Sequence, residues 1–226
     1  MIQDFPGGKL WMSDEPLEAI AREASWSQDP VHSVIALAAI VLLIVFMRDY
    51  FILWTPISRC LFRAKANIEM EHSIQLARTR NRAALLMLLP MWLIAERFSL
   101  LSEQMWLSLA IMVGYLVVKR LIAELLPPRR LPAEARLAVR RALYTYGIVF
   151  AFVLMLTVGL WLLIRWDEAA MPWVVGIEAG AILLLSMIRE GEILSAAYHP
   201  LVSFLYLCAL ELIPAAGLVA VGLVVA

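Results

Sequence analysis

The chain has 226 residues, of which 63% are hydrophobic and 17% are charged. Soluble domains hold about 45–50% apolar and about 25% charged residues, so this composition excludes an ordinary soluble fold and predicts a membrane protein. The formal net charge of zero hides an uneven distribution, and charge is informative only segment by segment.

Residues 1–31 form an acidic tail with six carboxylates against two basic side chains. Ser13 begins a helix-like pattern, in which Leu17, Ile20, Ala21 and Ala24 recur at helical spacing. We expect a short helix lying on the membrane surface, and the alternative is a frayed polar tail. Because the first apolar run follows an acidic segment, it does not resemble a cleavable signal peptide.

The first predicted span covers about residues 32–54, and a basic segment follows it at 57–82. Apolar residues recur there at helical spacing from Ile57 to Ile68, which favours an amphipathic helix on anionic headgroups. Its expected lipid contacts are Arg59, Arg63 and Lys65. Nucleic-acid binding is the alternative interpretation, but a neighbouring membrane span disfavours it, so we expect no nucleic-acid partner.

The second and third predicted spans, about 83–101 and 105–122, are separated by three residues and therefore form a helical hairpin. A strongly basic loop follows, in which Pro127 and Pro128 end the helix. The basic side chains expected to contact anionic lipid in this part of the chain are Arg129, Arg130, Arg140 and Arg141.

The fourth span is predicted at about 142–164 and the fifth at about 172–188. Gly176 and Gly180 are four residues apart in the fifth span, a spacing that is typical of close helix packing. Glu178 lies on nearly the opposite face of the same helix. If both faces are buried, this helix is central in the bundle.

The sixth span, about 203–224, contains Glu211 near its middle. An acidic residue at the centre of a membrane helix costs about 2.5 to 3.5 kcal/mol, so we expect Glu211 to be protonated, hydrogen-bonded, or both. Small residues recur beside it at seven-residue intervals, at Cys208, Ala215 and Gly222. Another helix can approach such a stripe closely, so the carboxylate is predicted to face protein.

Six spans place both termini on one side of the membrane. The odd-numbered loops hold fourteen Lys and Arg residues, whereas the tail and the even-numbered loops hold four. The positive-inside rule then predicts an all-α bundle of six membrane helices, at 32–226, in a bacterial inner membrane with both termini in the periplasm.

The sequence contains no recognised catalytic, phosphate-binding or metal-binding motif, so we expect no catalytic residue, cofactor or metal. The carboxylates within the spans are Glu96, Glu178 and Glu211, and Arg97 is a possible partner. They favour either a proton or cation relay or a set of interhelical hydrogen bonds.

Two further carboxylates, Glu190 and Glu192, flank Gly191 at the cytoplasmic end of the fifth span. They are candidates for binding a divalent cation or for pairing with arginines of the basic loops. Of these, a solvated interfacial cluster with arginines is the favoured interpretation.

The run LYLCALELIP at 205–214, preceded by Arg189 and Gly191, resembles the C-terminal signature of a family of short polytopic membrane proteins from Bacteroidota. That family is known only as a domain of unknown function. Its members often have an aromatic-His pair before the motif, where this chain has Leu201, Val202, Ser203 and Phe204. The resemblance implies the multi-span architecture and no activity.

Two functional classes fit these features. The favoured one is a non-catalytic membrane subunit or assembly factor of an envelope complex, with protein partners or a second copy in the membrane, because small-residue faces and basic loops are interaction features. The alternative is a small proton- or cation-coupled transporter that uses Glu211 and Glu178.

Overall fold

A computed structural model describes residues 30–98, 100–101, 104–164 and 170–225. The fold of these residues is all-α, as predicted, and contains no strand. The surface helix expected near residues 17–24 lies outside the described residues. The chain divides into two units, residues 1–42 and 43–226, and the larger unit contains all of the sites discussed below.

Nine α-helices and one π-helical segment occupy the described residues. In chain order they are α1 (Pro30–Val45), α2 (Met47–Phe62), α3 (Ala64–His72), α4 (Ile74–Arg97), α5 (Met105–Leu125), α6 (Ala133–Ile164), α7 (Met171–Ser195), α8 (Pro200–Leu207), the π-segment (Cys208–Leu212) and α9 (Ile213–Val225).

The described helices make this a multi-pass membrane protein. Helices α5, α6 and α7 and the continuous stretch Pro200–Gly222 are each long and apolar enough to cross a bilayer, and α1 with α2 forms a fifth crossing if the pair is one broken span. Helix α4 does not meet the same standard, because charges at both of its ends leave only residues 83–95 uncharged. That stretch is about 20 Å long, less than the roughly 30 Å hydrocarbon core.

Helix α6 is the central helix of the larger unit and packs against α2, α3, α4, α5 and α7. Its inner face carries buried small and branched residues, including Ile148 and Ala151, which pack with Leu53, Cys60 and Met87. Small residues on this face let the neighbouring helices approach, and the burial of aliphatic side chains between them excludes lipid.

The glycines expected at close helix contacts are not at such contacts within one copy of the chain. A Cβ atom added at Gly176, Gly180 or Gly222 would meet no atom within 4 Å. The close approach lies instead at Gly191, where an added Cβ would lie 3.3 Å from Cδ1 of Leu207. Gly191 therefore brings α7 and α8 together, just before the π-segment.

The π-segment has a cause in the sequence. Pro214 lacks a backbone N–H, and its ring clashes with the carbonyl of the residue four positions earlier, Leu210. The helix widens by one residue before the proline, and the Ile213 N–H donates to the carbonyl of Cys208, five residues back. Glu211 lies in this widened turn, so the irregular backbone sets the direction of its side chain.

Candidate functional site

The structure pairs Glu211 with a lysine on another membrane helix. The Lys119 ammonium lies 2.5 Å from Oε2 of Glu211, and the two side chains are 8% and 1% exposed. The carboxylate therefore faces protein, as the sequence predicts. Lys119 is about 9 Å from the end of α5 and Glu211 about 16 Å from the start of α8, so both are inside the membrane-crossing region.

A second carboxyl group, that of Glu190 on α7, adjoins this pair. Its side chain is buried, and its Oε1 accepts a hydrogen bond from the Ser186 hydroxyl at 2.8 Å. The Glu190 and Glu211 carboxyl groups lie within hydrogen-bonding reach of each other. No donor in the described part of the chain reaches Oε2 of Glu190. A proton shared between the two carboxyl groups would satisfy that oxygen.

Tyrosines surround this group of charges. Tyr115, one turn before Lys119 on α5, contacts its ammonium. Tyr146 of α6 and Tyr206 of α8 lie close enough to Glu190 to interact with it. Both tyrosine hydroxyls have partners of their own, since Tyr146 accepts from Asn67 at 3.2 Å and Tyr206 donates to the Leu126 carbonyl. We call Lys119, Glu190 and Glu211 the polar triad.

The triad contains one cation and two acids, and this inequality has a chemical consequence. A net charge in a buried, low-dielectric site is strongly unfavourable, because neither protein nor lipid replaces the lost hydration. The triad is neutral only when one of its two carboxyl groups is protonated. The arrangement can therefore hold one proton, and a further charged group that enters the site changes the number of protons it holds.

Two members of the triad lie where two cavities meet. A cavity of about 210 Å³ has a polar lining, and a cavity of about 550 Å³ is lined mainly by aliphatic and aromatic side chains. Lys119 and Glu211 line both of them. We call these the basic cavity and the apolar cavity. Ionisable groups placed between a polar and an apolar compartment are positioned to contact whatever enters from either one.

A separate buried ion-pair network holds the basic segment against α6. The Glu71 carboxylate receives Arg80 at 2.6 Å and Arg141 at 3.0 Å, and both Glu71 and Arg80 are 1% exposed. Burial lowers the pKa of the Arg80 guanidinium, although the adjacent Glu71 carboxylate opposes this effect. The network joins α3 and α4 to α6 through buried charges, so its role is to fix these helices against one another.

The other predicted intramembrane polar residues do not join the triad. Glu178 accepts a hydrogen bond from Thr157 of α6, a contact between neighbouring helices. Glu96 and Arg97 are half-buried at the end of α4, where the Arg97 guanidinium lies 5.7 Å from the centre of the Phe98 ring. Cys208 is half-buried and begins the π-segment.

The basic residues predicted to contact anionic lipid fall into two groups. Those with exposed side chains are Arg59, Arg63, Lys65, Arg129 and Arg130. Arg140 and Arg141 are less exposed and line the basic cavity, where they pair with Glu124 and Glu71 respectively. The second group therefore faces an internal space as well as the surface.

Two members of the triad were missed by sequence reasoning. Lys119 lies six residues from the end of α5, and in the sequence it was assigned to the basic loop that follows this helix. Glu190 was expected in a solvated interfacial cluster with Glu192. This expectation is wrong for Glu190, which is 1% exposed, whereas Glu192 pairs with Arg189 at 2.7 Å. The sequence feature that could have indicated the burial of Glu190 is the adjacent Gly191. Its lack of a side chain lets α8 pack closely against this part of α7.

Comparison with known proteins gives no relative: no family model, curated protein or solved structure matches this chain. The resemblance of residues 205–214 to the Bacteroidota family therefore stays a prediction. Among the described residues, no three His, Cys, Asp or Glu side chains come together as metal ligands.

Proposed function

We propose that this protein is a small proton-coupled membrane carrier whose coupling site is the polar triad. One observation carries the proposal: Lys119 and Glu211 line both the basic and the apolar cavity, and the buried Glu190 carboxyl group adjoins this pair. Lys119 can neutralise only one of the two buried acids, so the second acid must be protonated for the site to stay neutral. The excess carboxyl group gives the site a proton to exchange.

Glu190 replaces Glu178 as the second carboxylate of the relay. The hydrogen bond from Thr157 accounts for Glu178 as an interhelical contact, whereas the Glu190 carboxyl group adjoins the pair of Lys119 and Glu211. Ser186, Tyr115 and Tyr146 add hydroxyl groups near the triad. A relay usually has such a polar lining, and here it is contributed by helices that are distant in sequence.

The membrane arrangement that we propose has six crossings in a bacterial inner membrane, with α4 as the second. The uncharged stretch of α4 is short, but the adjacent Arg80 is neutralised within the protein by Glu71. The positive-inside rule supports this arrangement, because the loops rich in Arg and Lys then lie in the cytoplasm and both termini in the periplasm. In this orientation the ends of α5 and α7 nearest the triad are cytoplasmic. The basic cavity then opens towards the cytoplasm and the apolar cavity extends towards the periplasm.

The test is whether the proton of the triad exchanges with both sides of the membrane. Sealed proteoliposomes are prepared with the cytoplasmic face either outward or inward, and infrared spectra record the protonated-carboxyl band after an external pH step. The Glu190→Gln difference spectrum assigns the band. A carrier responds in both preparations, whereas a structural ion pair responds in neither. The Glu178→Gln variant is the matched control and should behave as wild type.

A second candidate function, that of a membrane subunit or assembly factor, has its own support. Gly180 and Gly222 have open space around them within this chain, so another membrane helix could pack there. Affinity purification in mild detergent tests for a partner. Under this function the Glu211→Gln variant still co-purifies with the partner, because glutamine keeps a hydrogen-bonding group.

A further inference from the structure

The two cavities differ in chemistry in a way that matches one class of ligand. The basic cavity is lined by four cationic side chains, those of Lys119, Arg120, Arg140 and Arg141, and by two carboxylates, those of Glu124 and Glu211. Its formal charge is therefore positive, and it favours an anion. A group the size of a phosphate, held by ammonium and guanidinium donors, fits its volume of about 210 Å³.

The apolar cavity has the dimensions of a hydrocarbon chain. Along α7 its lining runs from Ser186, beside the triad, to Pro172, fourteen residues away, which is about 21 Å of helix. One leaflet of a bilayer core is about 15 Å thick, so the cavity is deep enough for an acyl chain. Small residues, including Gly147, Gly176 and Ala179, leave its volume of about 550 Å³ open.

We infer that the substrate is an amphiphile with an anionic phosphodiester headgroup, held at Lys119, and an acyl tail in the apolar cavity. This inference rests on the proposed carrier function and names its substrate class. Charge complementarity selects the headgroup, since Lys119 and the arginines that line the basic cavity present positive charge at the mouth of an apolar space. Five residues line both cavities and form the junction that head and tail would share: Lys119, Arg120, Leu143, Tyr144 and Glu211.

Binding and proton uptake are linked by charge balance. In the empty site the Lys119 ammonium pairs with the Glu211 carboxylate, and Glu190 holds one proton. When the phosphodiester pairs with the Lys119 ammonium, the Glu211 carboxylate loses its cationic partner and accepts one proton from solution. The site together with the headgroup then stays neutral, and one proton enters for each amphiphile bound.

The groups that face the triad are Tyr115 from α5, Ser186 from α7, Tyr146 from α6 and Tyr206 from α8, together with Arg140 and Arg189 at greater distance. The hydroxyls stay neutral and the guanidinium groups stay charged around neutral pH. The proton that is taken up therefore belongs to the two carboxyl groups.

The test uses purified wild-type protein in dodecylmaltoside micelles and a phosphatidylglycerol with a fluorescent acyl chain. Its headgroup keeps a single negative charge around neutral pH, so any proton linkage belongs to the protein. We expect its dissociation constant to rise by up to about tenfold per pH unit, and a pH indicator to report about one proton taken up per lipid bound. Phosphatidylcholine with the same chains should bind at least about tenfold more weakly, because its choline cation offsets the charge of its phosphodiester and adds a cation beside the ammonium and guanidinium groups of the site.

Variants locate the two ends of the ligand. The double substitution Glu190→Gln with Glu211→Gln leaves no carboxyl group to protonate, so binding should become independent of pH. Ala179→Leu fills the apolar cavity and should weaken binding, whereas Gly180→Leu, the next residue on α7 and outside the cavity lining, should not. Glu178→Gln should keep both the affinity and the pH dependence.

Several results would overturn the inference. Equal affinity for phosphatidylcholine would remove headgroup recognition, and binding of inorganic phosphate as tight as that of the lipid would remove the role of the tail. Lipid binding by wild type without proton uptake would refute the coupling even if the double variant fails to fold. These outcomes are distinct from failure of the carrier proposal, which depends on proton access from both sides and is measured without added substrate.

Discussion

Replacing Lys119 with methionine should destabilise the protein by an amount that depends on pH. Methionine has a similar length and no charge, so the substitution leaves the packing near α9 largely intact. It removes the cation that faces Glu211 at 2.5 Å. Glu190 and Glu211 then remain buried with no cation between them, and both must be protonated for the site to stay neutral.

The magnitude follows from the one extra proton. A carboxyl group in the unfolded chain has a pKa of about 4.3, and protonating it costs about 1.4 kcal/mol for each pH unit above that value. The free energy of unfolding should therefore fall by about 3.7 kcal/mol at pH 7 and by about 1 kcal/mol at pH 5. The sign is fixed, because the folded variant holds one carboxyl proton more than folded wild type, while the carboxyl groups of the two unfolded chains hold equal numbers.

The measurement is the free energy of unfolding of both proteins in mixed micelles, obtained by titration with sodium dodecyl sulfate at pH 5 and pH 7. Tryptophan fluorescence reports the transition, and Glu178→Gln serves as the control for removal of an intramembrane charge elsewhere. A deficit that is the same at both pH values, or one below about 1 kcal/mol at pH 7, would refute the description of the triad as a neutral site with one shared proton.

Three further predictions concern stability and orientation. Arg80→Gln should cost about 3–5 kcal/mol of unfolding free energy because it breaks a fully buried pair, whereas Arg141→Gln, whose side chain is 36% exposed, should cost about 1 kcal/mol; equal losses would contradict the burial argument. Gly191→Val should destabilise by about 1–3 kcal/mol through overpacking, and Gly180→Val, which has open space, by less than about 1 kcal/mol in the same titration. An introduced Lys65→Cys should react with a membrane-impermeant thiol reagent only after spheroplasts are opened, and labelling of intact spheroplasts above the wild-type background would invert the orientation.

The helices could be predicted from the sequence because apolar runs of membrane length have few alternative structures. Helices α5, α6 and α7 contain the third, fourth and fifth predicted spans, but α6 begins nine residues before its predicted span and α7 ends seven residues after it. The second span was harder to predict, because its position depends on which groups neutralise the charges of Arg78, Arg80 and Arg82. Arg80 is satisfied by Glu71, within protein, and hydropathy along the chain contains no information on that contact.

The burial of Glu211 could be predicted, but its partner could not. A carboxylate inside a bilayer is so costly that it must have a partner, and this can be inferred from the position of Glu211 in the sequence alone. The partner is Lys119, 92 residues earlier in the chain, and no local pattern relates two such positions. The π-helical turn before Pro214 could not be predicted either. A proline indicates that the helix is irregular at that point, but the type of irregularity also depends on packing against α5.

The central claim is that Lys119, Glu190 and Glu211 form one site that holds a single proton, and infrared difference spectroscopy of the protonated-carboxyl band counts that proton directly. Relative to wild type at neutral pH, Glu190→Gln should remove one protonated carboxyl group, because Lys119 and Glu211 then neutralise each other. Lys119→Met should add one. The account would be contradicted if Glu190→Gln left the band unchanged, since the second acid of the triad would then hold no proton.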